Sequence, residues 1–171
     1  FGWIDDFSAA RNYAYEQATM DYQLWLDADD VLPPEELEKL LVLKGTLDPK
    51  IDMVTMKYHT HVDDQGKPIL TSTRERLTKR SRGFRWQDPV HECIPLQHPL
   101  LHSEITIWHK KPPSTEVSTR NLEIYQKMEA MGKLVTPRHE YYFARELLDH
   151  GQFDKAAQYF KKFLEGGQGW L

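Results

Sequence analysis

Cysteine is nearly absent from this 171-residue chain. Its single thiol, Cys93, cannot pair within the chain, which excludes an intrachain disulfide framework and favours a reducing, cytoplasmic compartment. Long apolar runs are missing too. The longest aliphatic stretch, Leu40-Leu41-Val42-Leu43, falls far short of the roughly 20 residues a spanning helix needs. Positive charge is in the minority, with 22 Lys and Arg against 26 Asp and Glu and a net charge of -4. That balance argues against a surface built for nucleic acid, so any basic site must be local. No Gly-rich phosphate loop is present. What remains is an ordinary globular composition, 40% hydrophobic and 28% charged with nine Gly and ten Pro, which excludes disorder, collagen and coiled coil.

The chain opens on Phe1-Gly2-Trp3 and closes on Gly166-Gly167-Gln168-Gly169-Trp170-Leu171. A glycine cluster followed at once by a large aromatic reads as a loop feeding a further element. Both ends suggest a fragment.

Ser8 is expected to cap a helix running to about Thr19. Tyr22-Gln23-Leu24-Trp25-Leu26 reads as a buried strand that stops in the acid cluster Asp27-Ala28-Asp29-Asp30. Pro33-Pro34-Glu35-Glu36 starts a helix expected to end at Gly45. An extended segment from Ile51 to His61, a turn at Asp63-Asp64-Gln65-Gly66 and a return from Leu70 to Lys79 predict a hairpin. Further strands are expected at Phe84–Trp86, Val90–Ile94 and Ile105–His109, in an antiparallel or mixed sheet. Lys110-Lys111-Pro112-Pro113 marks the expected boundary. Three helices follow, at about Thr115–Met131, Arg138–Asp149 and Phe153–Leu164. Ala144, Leu147, Gly151, Ala156 and Phe160 sit where a tetratricopeptide repeat places its packing residues.

The string Trp3-Ile4-Asp5-Asp6-Phe7-Ser8-Ala9-Ala10-Arg11-Asn12, followed by Asp21-Tyr22-Gln23-Leu24-Trp25-Leu26-Asp27-Ala28-Asp29-Asp30, resembles the family 2 glycosyltransferases of GT-A fold. In that family an Ala-Arg-Asn helix precedes a strand ending in Asp-x-Asp. The Asp-x-Asp motif alone is common by chance. Helix, strand, Asp-x-Asp-Asp and Pro-Glu-Glu helix in that order are specific. The resemblance spans residues 1–111 and implies an α/β, partial GT-A mixed sheet, with residues 112–171 forming an all-α, tetratricopeptide-like segment. The family's opening strand-helix-strand unit, which holds the nucleotide base, has no counterpart before Phe1. The expectation is therefore a truncated domain that binds donor weakly or not at all.

The implied chemistry is sugar transfer from a nucleotide-diphosphate donor, a UDP-sugar, with inversion. A diphosphate leaving group calls for Mn²⁺ or Mg²⁺ on hard oxygen ligands. By resemblance Asp29 binds the metal, a late histidine, His109, joins it, and Asp27 contacts the donor ribose or a metal-bound water. Arg11 and Asn12 either reach phosphate and sugar oxygens or support the fold. The competing view makes Asp30 a helix cap and the other acids solvated turn residues. In Phe84-Arg85-Trp86-Gln87-Asp88-Pro89-Val90-His91-Glu92, Glu92 is the expected base for the acceptor, with His91 as the alternative base or its orienting partner. An ion pair between Glu92 and an arginine is the plain alternative.

His59 and His61 alternate on one strand face and read as a solvated edge, and Cys93 reads as core. The cations Arg74, Arg76, Lys79, Arg80, Arg82 and Arg85 could attract a diphosphate, an anionic acceptor or the inner membrane face, or form a solvated hairpin face. The acceptor class stays open among glycan, lipid-linked sugar and peptide. The helical segment could mediate self-association or bind a protein partner. Two rival functions are a scaffold built on those helices and another metal-dependent phosphoryl or nucleotidyl enzyme. Against the second stands the missing phosphate loop.

Overall fold

The computed structural model describes residues 1–63, 65–110 and 118–166. The expected boundary at Lys111-Pro112-Pro113, the helix start at Thr115, Asp64 of the turn and the terminal residues 167–171 lie outside them. In order come α1 (Phe7–Gln17), β1 (Tyr22–Leu24), β2 (Asp30–Val31), α2 (Pro34–Thr46), β3 (Met53–Val62), β4 (Pro68–Lys79) and β5 (Leu100–His109). Then come α3 (Arg120–Ala130), α4 (Pro137–Asp149) and α5 (Phe153–Glu165). The described residues group into two compact units. One holds residues 11–63, 65–87 and 94–110, the other residues 1–10, 88–93 and 118–166. Among the described residues no helix is long and apolar enough to cross a membrane.

The first unit is built on a mixed five-stranded sheet of order β1-β4-β3-β5-β2. The hairpin β3–β4 is antiparallel, β3 and β5 run parallel, and β2 returns antiparallel on β5. Asp63 builds the hairpin turn, its carboxylate accepting from the amides of Gln65 and Lys67 at 3.0 and 2.8 Å. Central β3 is covered on both faces at its start, where Met53, Val54, Thr55 and Met56 are all buried, as a continuous apolar run in a sheet interior should be. On α2, Leu40 and Leu43 pack with Met56, Tyr58, Ile105 and Ile107. Glu36 belongs to the first turn of α2, yet it is buried and accepts from the amide of Thr106 at 2.8 Å, tying α2 to β5.

Several expectations change. Asp6, not Ser8, caps α1, accepting from the amide of Ala9 at 2.9 Å and from the Ser8 hydroxyl at 2.7 Å. β1 is an edge strand with Leu24 exposed; its buried residues are Gln23 and, just beyond it, Trp25. α2 runs through Gly45, and Leu47 leaves it in an extended conformation. Residues 84–94 form no ladder strand. Their apolar residues are anchors: Phe84, Trp86 and Ile94 pack with Tyr15, Trp25 and Met53, whereas Val90 belongs to the helical core. Cys93 is half-buried rather than core.

The second unit packs α3, α4 and α5 around Leu122, Ile124, Tyr125, Met128, Phe143 and Leu147. Buried Ala144 and Ala156 let α4 and α5 approach closely. Both helix exits use left-handed glycine. At Gly151 (φ 72°) the amide of Gln152 reaches back to the carbonyl of Leu147 at 2.8 Å, and at Gly132 (φ 65°) that of Lys133 reaches Met128 at 2.8 Å. Thr136 caps α4 by accepting from the amide of His139 at 3.2 Å, with Pro137 in the first turn. Phe143 is fully buried, so Phe143→Ala should cost about 3–5 kcal/mol. Urea unfolding followed by circular dichroism reads this directly, and a loss below about 1 kcal/mol would show that the helices do not depend on this core.

Candidate metal and donor site

Asp27 and Asp29 lie in the turn that joins β1 to β2, and Asp30 opens β2. The turn closes on itself: the amide of Asp30 donates to the carbonyl of Asp27 at 3.0 Å, and the amide of Asp27 donates back to the Asp30 carboxylate at 3.0 Å. Antiparallel pairing of β2 with β5 then places Asp30 directly opposite His109. Just beyond that pair, the amide of Lys110 donates to the carbonyl of Asp29 at 2.8 Å. His109 Nδ1 consequently lies 3.4 Å from both Asp29 Oδ1 and Asp30 Oδ1.

Asp29, Asp30 and His109 offer ligand atoms that all lie within 4.8 Å of one another, a group that could hold a metal ion. Two carboxylates and one imidazole make a donor set that a divalent ion could take. Asp29 is the open member, its side chain 36% exposed. The Asp30 side chain is fully enclosed and bonded to Arg76 at 2.7 Å, with Arg76 itself fully buried. The Tyr58 hydroxyl donates to Asp30 at 2.8 Å and lies 2.9 Å from His109 Nδ1. Burial alone would raise the Asp30 pKa. The Asp27 amide, Arg76 and Tyr58 outweigh it and hold the carboxyl below its ordinary value. The Tyr58 phenol is pushed up by burial and by Asp30, so it stays a proton donor.

Asp30 was expected only as a possible helix cap. The residue preceding α2 is Pro33, and no side-chain cap bond exists there. Arg76 was counted among the cations of a hairpin face, yet its guanidinium is sandwiched 3.7 Å from the Trp25 ring and 4.3 Å from that of Tyr58. The rest of that basic run is also engaged. Arg74 lies 3.6 Å from Glu75, Arg82 lies 3.0 Å from Asp52, and Arg85 lies 2.6 Å from Glu16. Lys79 bonds the carbonyl of Pro49, and Arg80 that of Met20 at 2.8 Å. Arg80, Arg82 and Arg85 stay exposed while making these contacts, as on a solvated hairpin face, and Arg76 is the buried member of the run. His59 pairs with the Thr71 hydroxyl at 2.7 Å and packs edge-on against Trp108, and His61 contacts Thr60.

Arg11 bonds Asp27 at 2.6 Å and lies 4.8 and 4.7 Å from the rings of Trp25 and Trp86. Asn12 clamps the main chain of Trp86, donating to its carbonyl at 3.0 Å and accepting from its amide at 2.9 Å. A cavity of about 500 Å³ opens beside α1 and β1, with Arg11, Tyr15, Gln23, Trp25 and Trp86 in its wall.

His91 and Glu92 lie in the 88–93 loop of the helical unit. His91 takes a left-handed backbone (φ 55°), as does Asp88 (φ 71°). The His91 ring stacks 4.0 Å from Tyr142, and its Nε2 lies 3.0 Å from Glu146. Burial would raise the Glu146 pKa, but hydrogen bonds from His91 and Asn121 hold it below the ordinary value. Arg138 and His139 both reach Asp88, at 2.9 and 2.8 Å. Sequence inspection did not single out Asp88, Arg138 or Glu146, because 55 positions separate His91 from Glu146 and no local pattern marks the pairing.

The profile of Glycosyl transferase family 2 matches residues 4–103, more than half of the chain. A TPR repeat-containing protein of Synechococcus elongatus is 36% identical over 112 residues, covering 62% of this chain and 26% of that protein. The glycosyltransferase SunS, from the SPbeta prophage of Bacillus subtilis and from Bacillus phage SPbeta, is 25% identical over 171 residues, covering 95% of this chain and 40% of SunS. The chain thus spans well under half the length of either relative.

Removing Asp30 leaves a buried guanidinium uncompensated. Asp30→Ala should therefore lose about 3–5 kcal/mol in urea unfolding, and a near-neutral result would refute the pairing. Because the folded carboxyl titrates below 3.8, its contribution is complete above that pH and disappears as the pH falls through the lower, folded value. Wild type should accordingly lose stability more steeply than Asp30→Asn when acidified from pH 5 to pH 3. Parallel curves would exclude this linkage.

Proposed function

The chain belongs to glycosyl transferase family 2, and on that footing we propose that the whole protein transfers a sugar, with inversion, from a nucleotide-diphosphate donor to an acceptor hydroxyl or other nucleophile. Its mixed sheet with flanking helices is a partial GT-A fold. Glycosyltransferase SunS, similar along nearly the whole chain, supports the reading. The observation that carries it is the convergence of Asp29, Asp30 and His109 where β2 pairs with β5.

In this proposal Asp29 and His109 hold Mn²⁺ or Mg²⁺, with Asp30 as the buried carboxylate that orients them. A bound divalent ion would neutralise the charge that develops on the departing diphosphate. Asp27, with Arg11 and Asn12, lies on the donor side. The planar guanidinium of Arg11, already oriented by Asp27 and two indole faces, suits two oxygens of a phosphate. Glu92 is the proposed base that takes the acceptor proton, with His91 as the alternative. The proposed donor is a UDP-sugar, and the acceptor a glycan, lipid-linked sugar or peptide. Residues 1–111 would form the transferase part and residues 112–171 the tetratricopeptide-like part. Similarity to a TPR repeat-containing protein favours one further role for these helices, the recruitment of a protein partner or of a second copy.

Titration calorimetry with UDP and UDP-glucose, with and without Mn²⁺, tests the donor site. Any donor binding by this chain should require Mn²⁺ and vanish in Asp29→Ala. Equal binding with and without the ion, or in the variant, would remove the metal from the proposal.

A further inference from the structure

The 88–93 loop is held at successive positions by side chains of the helices. Arg138 donates to the carbonyl of His91 at 2.6 Å and pairs with Asp88 at 2.9 Å. His139 takes the other Asp88 oxygen at 2.8 Å. The Tyr125 hydroxyl points to the carbonyl of Val90 at 3.5 Å, and Val90 itself is buried in the helical core. Glu146 fixes one edge of the His91 imidazole at 3.0 Å while Tyr142 covers its face at 4.0 Å. Asn121 donates to the same Glu146 oxygen at 3.2 Å, so the carboxylate is held from α3 as well as from the loop.

Two non-glycine residues of this loop, Asp88 and His91, occupy left-handed backbone. Each such conformation costs on the order of 1–3 kcal/mol and persists only where its surroundings over-determine it. Here the surroundings are side chains of α3 and α4, and the residue that follows His91 is Glu92. We propose that Arg138 and Glu146 are positioning residues that hold the His91–Glu92 segment in the pose from which Glu92 acts. This inference rests on the transferase reading above, in which that segment supplies the base.

The test uses the full chain with Glu146→Ala, Glu146→Gln, Arg138→Ala and, separately, Glu92→Gln. Two readouts are needed. The first is the NMR shift of the His91 ring protons, assigned by their loss in His91→Gln and displaced upfield by the Tyr142 ring in the stacked pose. The second is UDP release from UDP-glucose with Mn²⁺, water taking the glucosyl group to give glucose, resolved into kcat and KM.

Both alanine variants should lose the upfield displacement, whereas Glu146→Gln, which can still accept from the imidazole, should keep it. The kcat of the alanine variants should fall by roughly tenfold to a hundredfold with KM for UDP-glucose unchanged, as expected for misplacement of a reacting group. Unshifted ring signals in both alanine variants would overturn the proposal. So would a wild-type kcat in them while Glu92→Gln is inactive. If Glu92→Gln turns over like wild type, the assignment of Glu92 as base falls; if wild type releases no UDP, the transferase reading of this chain falls instead. The ring shifts then decide the clamp alone. Should either alanine variant fail to fold, the other carries the measurement, because Arg138 and Glu146 hold the loop through different atoms.

Discussion

A guanidinium with no access to water dictates much of the sheet unit. Arg76 is fully buried, and a charge in that position is tolerated only with a counter-ion and good local geometry. Asp30 supplies the counter-ion, while Trp25 and Tyr58 cover the two faces of the guanidinium. Trp25 in turn donates to the carbonyl of Glu75, and its backbone amide donates to the carbonyl of Arg76 at 3.2 Å. Turn 27–30, strands β3 and β4 and the aromatic core are therefore fastened to one ion pair. The energetic cost of burying that pair has a structural return: Asp30 cannot swing, so the β2–β5 pairing presents Asp29 and His109 in a defined relation.

The same economy explains why neighbouring acids behave differently. Asp29 is partly exposed and lies beside His109. Asp30 is enclosed, saturated by Arg76, Tyr58 and a backbone amide, and serves as the fixed wall of the site. Asp27 spends its carboxylate on Arg11. Three acids within four residues thus acquire three roles from environment alone, by exposure and by which donors surround them.

In the helical unit the controlling element is a loop, not a helix. α3 and α4 each end on a left-handed glycine, a cheap use of that backbone region. Asp88 and His91 adopt the same region without that advantage, and α3 and α4 offset the strain with a shell of charged and aromatic groups. Polar networks of this kind specify one geometry because a partly satisfied version would be worse than none. The packing core of Phe143, Leu147 and Ala156 provides the rigid base from which Arg138 and Glu146 reach the loop.

Much of this architecture was legible in the order of residues. The hairpin was announced by β-branched strands around Asp63 and Gly66, α2 by Pro34 and two glutamates, and the last helices by apolar spacing and Gly151. These are local signals, and local physics produces them. Asp29 and His109 stood out as candidates, but only strand pairing across 80 positions could bring them together. Asp30 and Arg76 were misjudged as a cap and a surface cation because burial of a charge depends on what closes over it, which no window of sequence contains. Residues 84–94 mimicked strands because anchors for two separate cores alternate much as a strand face does. The chain's own order of residues determined the types of element and the chemistry on offer. Tertiary contact alone decided which carboxylate is exposed, which arginine is buried and what holds His91, since those depend on groups far apart in the chain meeting away from water.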